Sequence, residues 1–265
     1  MSLSGPAVIE RIELRFRNLP SWADGMKIVH LSDLHLNKFV PECEQVVEAV
    51  NAENADLVAL TGDFVNSGPS SPDTVCRMLA GIRSRLGGFA VLGNWEYKYI
   101  RVGRDLASEL ADAGFRLLVN ECVPLREGEA PVCIAGIDDS IFGAPDLEHT
   151  LADAPEDAFT ILLTHEPYVA RLALEDSHAE RCTAGKVDLF LAGHTHGGQI
   201  RLPLIWKFFL PRACGGFIGG LYKLGDARLY VNRGLGAVGL LPFRFRCPPE
   251  IAVITLRKGE SECPA

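Results

Sequence analysis

Seven residues of this chain carry side chains that hold metals, and each sits at or just past the end of a short apolar run. They are Asp33 and His35 in "SDLH", Asp63 in "GD", Asn94 in "GN", His165 in "TH", and His194 with His196 in "GHTH". Carboxylate oxygens, an amide oxygen and imidazole nitrogens suit Mn, Fe or Zn better than Ca or Mg. Seven such donors are about what two divalent cations need, provided one carboxylate bridges them at a separation of ~3.5–4 Å. A lone D-x-H or G-D pair arises by chance, and a single histidine after a strand is more often a capping group. The weight lies in the order of all five pieces.

The elements that must position these residues are legible as well. The runs "MKIVHLSD" (26–33), "DLVALTGD" (56–63), "GFAVLGN" (88–94), "PVCIAGID" (131–138), "FTILLTHE" (159–166) and "VDLFLAGH" (187–194) read as buried strands. Segments with helical spacing lie between several of them: Val46, Val47 and Val50 share one face, and Val75, Leu79 and Ile82 another. A third, "RVGRDLASELADAGF", ends at Gly114. Alternating strand and helix argue for an α/β layered fold, whose ligand sites lie beyond the carboxyl ends of strands. "VIERIELRFRNL" alternates like a half-exposed strand, and the last third adds "GQIRL", "RLYVN" and "IAVITL" as strands. With no repeat or linker, residues 1–265 read as one domain with a mixed sheet or two packed sheets.

Bulk properties narrow the partners. The chain has 265 residues, 48% hydrophobic and 23% charged, with net charge −8, which gives no support to a nucleic-acid surface. A phosphate site on so acidic a protein needs local compensation, most simply from metal ions. The eight cysteines show no C-x-x-C pair, as expected of reduced thiols in a cytoplasmic protein. No apolar run is long enough to span a membrane, and the opening "MSLSG" reads as an appended leader that leaves room for a removed upstream segment. "GLGAVG" (234–239) satisfies G-x-G-x-x-G, but Pro242, Pro248 and Pro249 block a following helix, so it is no dinucleotide cradle. His149 and His178 lie in acidic stretches as surface residues, and His30, inside the first strand, reads as structural.

D-x-H, G-D, G-N, H and G-H-x-H in this order resemble the motif set of the calcineurin-like metallophosphoesterases, from about Lys27 to Leu256. The resemblance implies a four-layer αββα sandwich of two mixed sheets flanked by helices. It implies two divalent metals: Asp33, His35 and His196 on one, Asn94, His165 and His194 on the other, Asp63 bridging. A bridging hydroxide would then attack phosphorus in line. "GHTHGGQIRLP", "LYVNRGLG" and "PFRFRCPPEI" are similar to a bacterial branch of membrane-associated phosphoesterases that includes UDP-2,3-diacylglucosamine hydrolases of lipid A synthesis. That likeness implies a phosphorylated small-molecule or lipid-linked nucleotide substrate and a cytoplasmic protein peripheral to the inner membrane.

One departure stands out. The family's G-N-H reads "GNWEY" here, with Trp95 in the histidine's place; indole donates an N–H but has no titratable proton. Either activity is lost and the chain is a metal-holding interaction module, or the leaving group needs no acid. Retention of all seven ligands favours the second. Glu96 next door reads either as a proton donor or as a surface carboxylate. The segment 202–225, with Trp206, Phe208, Phe209, Leu210 and Phe217 beside Lys207, Arg212 and Lys223, reads either as sheet packing or as an apolar lip for acyl chains or a bilayer. In the second case Arg233 is a candidate phosphate clamp.

Overall fold

The computed structural model describes residues 5–67, 71–100, 105–125, 131–175, 186–203, 210–238 and 243–260. In chain order the first half runs β1 (Val8–Phe16), β2 (Lys27–Leu31), α1 (Pro41–Ala52), β3 (Leu57–Thr61), α2 (Ser71–Leu79), β4 (Gly88–Val91), α3 (Asn94–Tyr99), α4 (Leu106–Asp112) and β5 (Phe115–Leu117). The second half runs β6 (Glu121–Leu125), β7 (Val132–Gly136), α5 (Leu147–Ala152), β8 (Phe159–Leu163), α6 (Tyr168–Glu175), β9 (Leu189–Ala192), β10 (Gly220–Leu224), β11 (Ala227–Val231) and β12 (Glu250–Lys258). Two mixed six-stranded sheets result, ordered β1-β12-β2-β3-β4-β5 and β10-β11-β9-β8-β7-β6.

Strands β2, β3, β4 and β7, β8, β9 are parallel neighbours within their sheets, and parallel strands need both faces covered. The sequence answers with continuous apolar runs rather than alternation of polar and apolar residues. Successive side chains point to opposite faces. Ile28, Leu57, Ala59, Phe89 and Val91 therefore meet Val132, Ile134, Phe159, Ile161 and Leu189 between the two sheets. On the outer face of the first sheet, Val29, Leu31, Val58 and Leu60 pack against Cys43, Val46 and Val50 of α1, Met78 and Leu79 of α2 and Leu110 of α4. On the far side, Leu162, Phe190 and Leu229 pack under Leu151 of α5 and Val169, Ala170 and Ala173 of α6. Four layers follow, in the order helix, sheet, sheet, helix.

The expected "GQIRL" strand is not formed. Residues 199–202 are loop, with Ile200 making one isolated bridge to Phe245. The described part of "GLGAVG" is also loop, without a helix. Cys43, Cys76, Cys122, Cys133, Cys214 and Cys247 are free thiols, and no helix among the described residues is long and apolar enough to cross a membrane.

The sheets bring the ends of β2 and β9 so close that a side chain has no room. A Cβ on Gly193 would lie 1.8 Å from Ser32 Oγ and 2.6 Å from Asp33 Oδ2. Gly193→Ala is expected to destabilise the fold by about 1–3 kcal/mol, as overpacking does. Thermal unfolding checks this against Gly219→Ala, where the backbone is not left-handed and the nearest atom to a Cβ is 3.5 Å away.

Candidate metal centre

The carboxyl ends of β2, β3, β8 and β9 deliver Asp33 and His35, Asp63, His165, and His194 and His196 to one edge of the sandwich, all buried. Two triads form: Asp33, His35 and His196, and Asp63, His165 and His194, each with its donor atoms within 4.8 Å of one another. In the first, His196 Nε2 is 3.3 Å from Asp33 Oδ1 and 3.2 Å from His35 Nε2. In the second, His165 Nε2 is 3.3 Å from Asp63 Oδ2 and 3.1 Å from His194 Nδ1. Asp63 Oδ2 also stands 3.6 Å from His35 Nε2, so one carboxylate oxygen faces both triads. Asn94 is buried at the first residue of α3, directly after Gly93, whose Cβ position is 2.5 Å from Asp63 Oδ1.

The residues fit cations on two grounds. Asp33 Oδ1 is buried without a hydrogen-bond partner and aimed into the first triad. In the second, His165 Nδ1 lies 2.8 Å from the carbonyl of Thr61 and His194 Nε2 2.6 Å from that of Arg212. A carbonyl only accepts, so each ring donates there and presents its other nitrogen as a lone pair to the centre.

Electrostatics point the same way. Burial lowers His35 and His194 to about 4, and burial with His35 and Arg244 nearby holds His196 well below its ordinary value; neutral imidazole is the ligand form. Burial alone would lower His165 too, but Asp63, with Glu166 and Asp33, holds it well above its ordinary value. Burial raises Asp33 to about 6. For Asp63 burial also acts upward, but His165 and His35 carry it well below the usual carboxylate range.

Backbone geometry is unusual at these positions. Asp33, His35, Asp63, His194 and His196 all have φ between 45° and 68°, the left-handed region that costs a non-glycine residue energy and clusters at functional sites. Gly62, with φ of 77°, could not carry a Cβ, which would sit 2.6 Å from His165 Nδ1. A Cβ on Gly197 would meet Arg233 Cγ and Cys247 Sγ, each at 2.7 Å, so the close approach there is to the protein itself.

Several expectations change. Trp95 contributes through its backbone, donating its N–H to Asp63 Oδ1 at 2.8 Å; its ring meets His35 edge-on, centroids 4.6 Å apart. Glu96 is not a surface carboxylate. It is 2% exposed and accepts the N–H groups of Asp63, Gly93 and Val65 at 2.7–3.0 Å, while burial and then Asp63 raise it to about 8. Arg233 has its guanidinium engaged by Glu250 at 2.5 Å and Glu10 at 3.3 Å, which removes the reason to read it as a phosphate clamp. The arginine at the site is Arg244, which the sequence did not reveal, with Nη2 3.3 Å from His196 Nδ1 and Nη1 donating to the His196 carbonyl. His30 is fully buried with Nε2 2.8 Å from Thr61 Oγ1, and His149 is exposed. His178, Trp206, Lys207, Phe208 and Phe209 lie outside the described residues.

A four-layer sandwich with two buried His/Asp triads at one edge defines a metal-dependent hydrolase. Residues 26–198 match the sequence model of the calcineurin-like phosphoesterases. The metallophosphoesterase YkuE of Bacillus subtilis is 34% identical over 95% of this chain and 87% of its own length. A metallophosphoesterase of Aquifex aeolicus is 31% identical over 94% and 91%. A bovine transmembrane protein with a metallophosphoesterase domain is 32% identical over 97% of this chain, which spans 59% of that protein. The chain belongs to the calcineurin-like phosphoesterase family.

Two substitutions test the centre. Asp63→Ala is expected to lower bound Mn²⁺ at both triads rather than at one, read by elemental analysis after equilibrium dialysis; loss confined to one equivalent would show that Asp63 does not serve both. Glu96→Ala would leave three buried N–H groups without an acceptor, at about 1–3 kcal/mol each. A marked fall in Tm is expected, and an unchanged Tm would remove Glu96 from the framework.

Proposed function

We propose that the protein hydrolyses a phosphodiester or pyrophosphate bond at a binuclear metal centre. The observation that carries this is Asp63 Oδ2, placed between His35 and His165 so that one carboxylate serves both triads. Asp33, His35 and His196 would hold one cation and Asn94, His165 and His194 the other, Mn²⁺ being the first choice and Fe or Zn the alternatives. Divalent cations at such a centre supply Lewis-acid activation of water and neutralise phosphoryl charge.

The chain's own residues narrow the bond. A departing alkoxide gains ~10²–10⁴-fold from a general acid. Trp95 has no titratable proton to give, and the Glu96 carboxylate is occupied by three backbone donors. A departing phosphate or an activated alkoxide needs far less help. This supports a nucleoside diphosphate or an activated diester over an alkyl monoester. The sharpest candidate is a lipid-linked sugar nucleotide of the UDP-2,3-diacylglucosamine type, with the apolar 202–225 segment beside the centre in sequence taking the acyl chains and the reaction belonging to lipid A synthesis at the inner membrane.

The test compares UDP-2,3-diacylglucosamine, an aryl phosphodiester and an alkyl phosphomonoester on Mn²⁺-loaded protein, with Asp63→Ala as the blank. The diphosphate or the aryl diester is expected to react well ahead of the monoester. A monoester rate equal to the others would overturn the leaving-group argument. Inactivity on all three with metal bound would favour the interaction module.

A further inference from the structure

We infer that the rim of the metal centre is a docking surface for an anionic lipid bilayer, built from residues 199–202 and 243–246. The first observation is a segregation of charge. Between His194 and Glu250 the chain carries eight Lys or Arg and a single acid, Asp226. Lys223 and Arg228 lie at the far end of the sheet, level with Leu189 at the start of β9, and Arg233 is held by Glu10 and Glu250; residues 199–202 and 243–246 bring Arg201, Arg244 and Arg246 to the rim and no acid.

The second observation is what the rim exposes. Phe243 is 49% exposed, Phe245 41% and Leu202 38%. The chain alternates across this segment: Arg244 turns inward onto His196, and its neighbours Phe243 and Phe245 turn outward. The two aromatic side chains are therefore one residue away from a group touching the metal centre. They do not hang on a loose loop. Phe245 donates its N–H to Gln199 O and accepts from Arg201 N, both at 2.9 Å, and the Gln199 side chain is itself tied to Val238 in both directions.

Cations accompany the rings. The Arg246 guanidinium sits over the Phe245 ring, 5.5 Å from its centroid. Arg212, exposed at its side chain, takes the His194 ring on its own carbonyl. Exposed Phe and Leu flanked by Arg are what the interfacial layer of an anionic bilayer binds: the rings enter the acyl boundary while guanidinium groups stay with the headgroup phosphates. Nucleic acid is the less suitable polyanion, because the rest of the surface is acidic and would repel a long strand. The surface deepens the proposed lipid-linked substrate, since it would set the centre at the depth of a headgroup phosphate.

The test is co-sedimentation of the full chain with phosphatidylcholine vesicles, with and without phosphatidylglycerol, at low and at high salt. Binding is expected only with phosphatidylglycerol, weakened by salt, and reduced ~10-fold or more by the double substitution Phe243→Ser with Phe245→Ser, as removal of apolar anchors should do. Arg212→Gln with Arg246→Gln should weaken binding and flatten its salt dependence. Equal binding by wild type and the Phe double variant, absence of binding to anionic vesicles, or preference for duplex DNA over the vesicles would each overturn the proposal. Hydrolysis of a soluble aryl diester by the same preparations separates the two readings. Unchanged diester turnover with lost vesicle binding is the expected signature of the Phe variant.

Discussion

Everything at the metal centre is arranged around the carboxylate of Asp63. One oxygen is pinned by the Trp95 N–H, and the other is left facing both His35 and His165. The backbone of Asp63 is fixed in turn by Glu96, whose same Oε2 also takes the N–H of Gly93. Three parallel strands are thereby tied at their ends: β2 through Asp33 N on the Gly62 carbonyl and His35 N on that of Asp63, β3 directly, and β4 through Gly93 and Trp95. Across the sandwich, His165 reaches the carbonyl of Thr61, and the His194 N–H reaches Asp33 Oδ2. The two sheets are joined at this edge by polar contacts, whereas the layer between them is mostly apolar.

Such an edge is expensive to build, which explains its backbone. Five of the six titratable members of the two triads sit at positive φ, at an order of 1–3 kcal/mol each where strain is stored at functional sites. Asp and His tolerate this region better than most residues. The buried layers between and outside the sheets supply the free energy that holds them there. An extended chain would already place Asp33 and His35, two apart, on one face; the left-handed φ at each turns the backbone out of the strand while both side chains stay at the centre.

The fold and the triads were legible in the sequence because both depend on short-range patterns. Continuous apolar runs at regular spacing mark doubly covered parallel strands, and a donor placed just past each run marks the ligand edge. What the sequence hid depends on long-range contact. Glu96 looks like any solvated acid until β3 and β4 lie side by side and three N–H groups converge on it. Arg233 and Arg244 are equivalent by type, and only the docking of residues 243–247 against His196 decides which one reaches the centre. The "GQIRL" run failed as a strand because its neighbour is the irregular 243–246 segment rather than a sheet edge, so a single bridge at Ile200 is all that forms.

Charge balance completes the physical picture. The centre buries two aspartates with four imidazoles, and burial pushes three of those imidazoles below their ordinary value. His165 alone is held above its ordinary value, by Asp63 and its carboxylate neighbours. An unpaired buried carboxylate is costly, so positive charge beside Asp63 is favoured whether a proton or a cation brings it. Both would take the same His165 nitrogen, because the other nitrogen of the ring is committed to Thr61 O, and a cation bound there would displace any proton it holds.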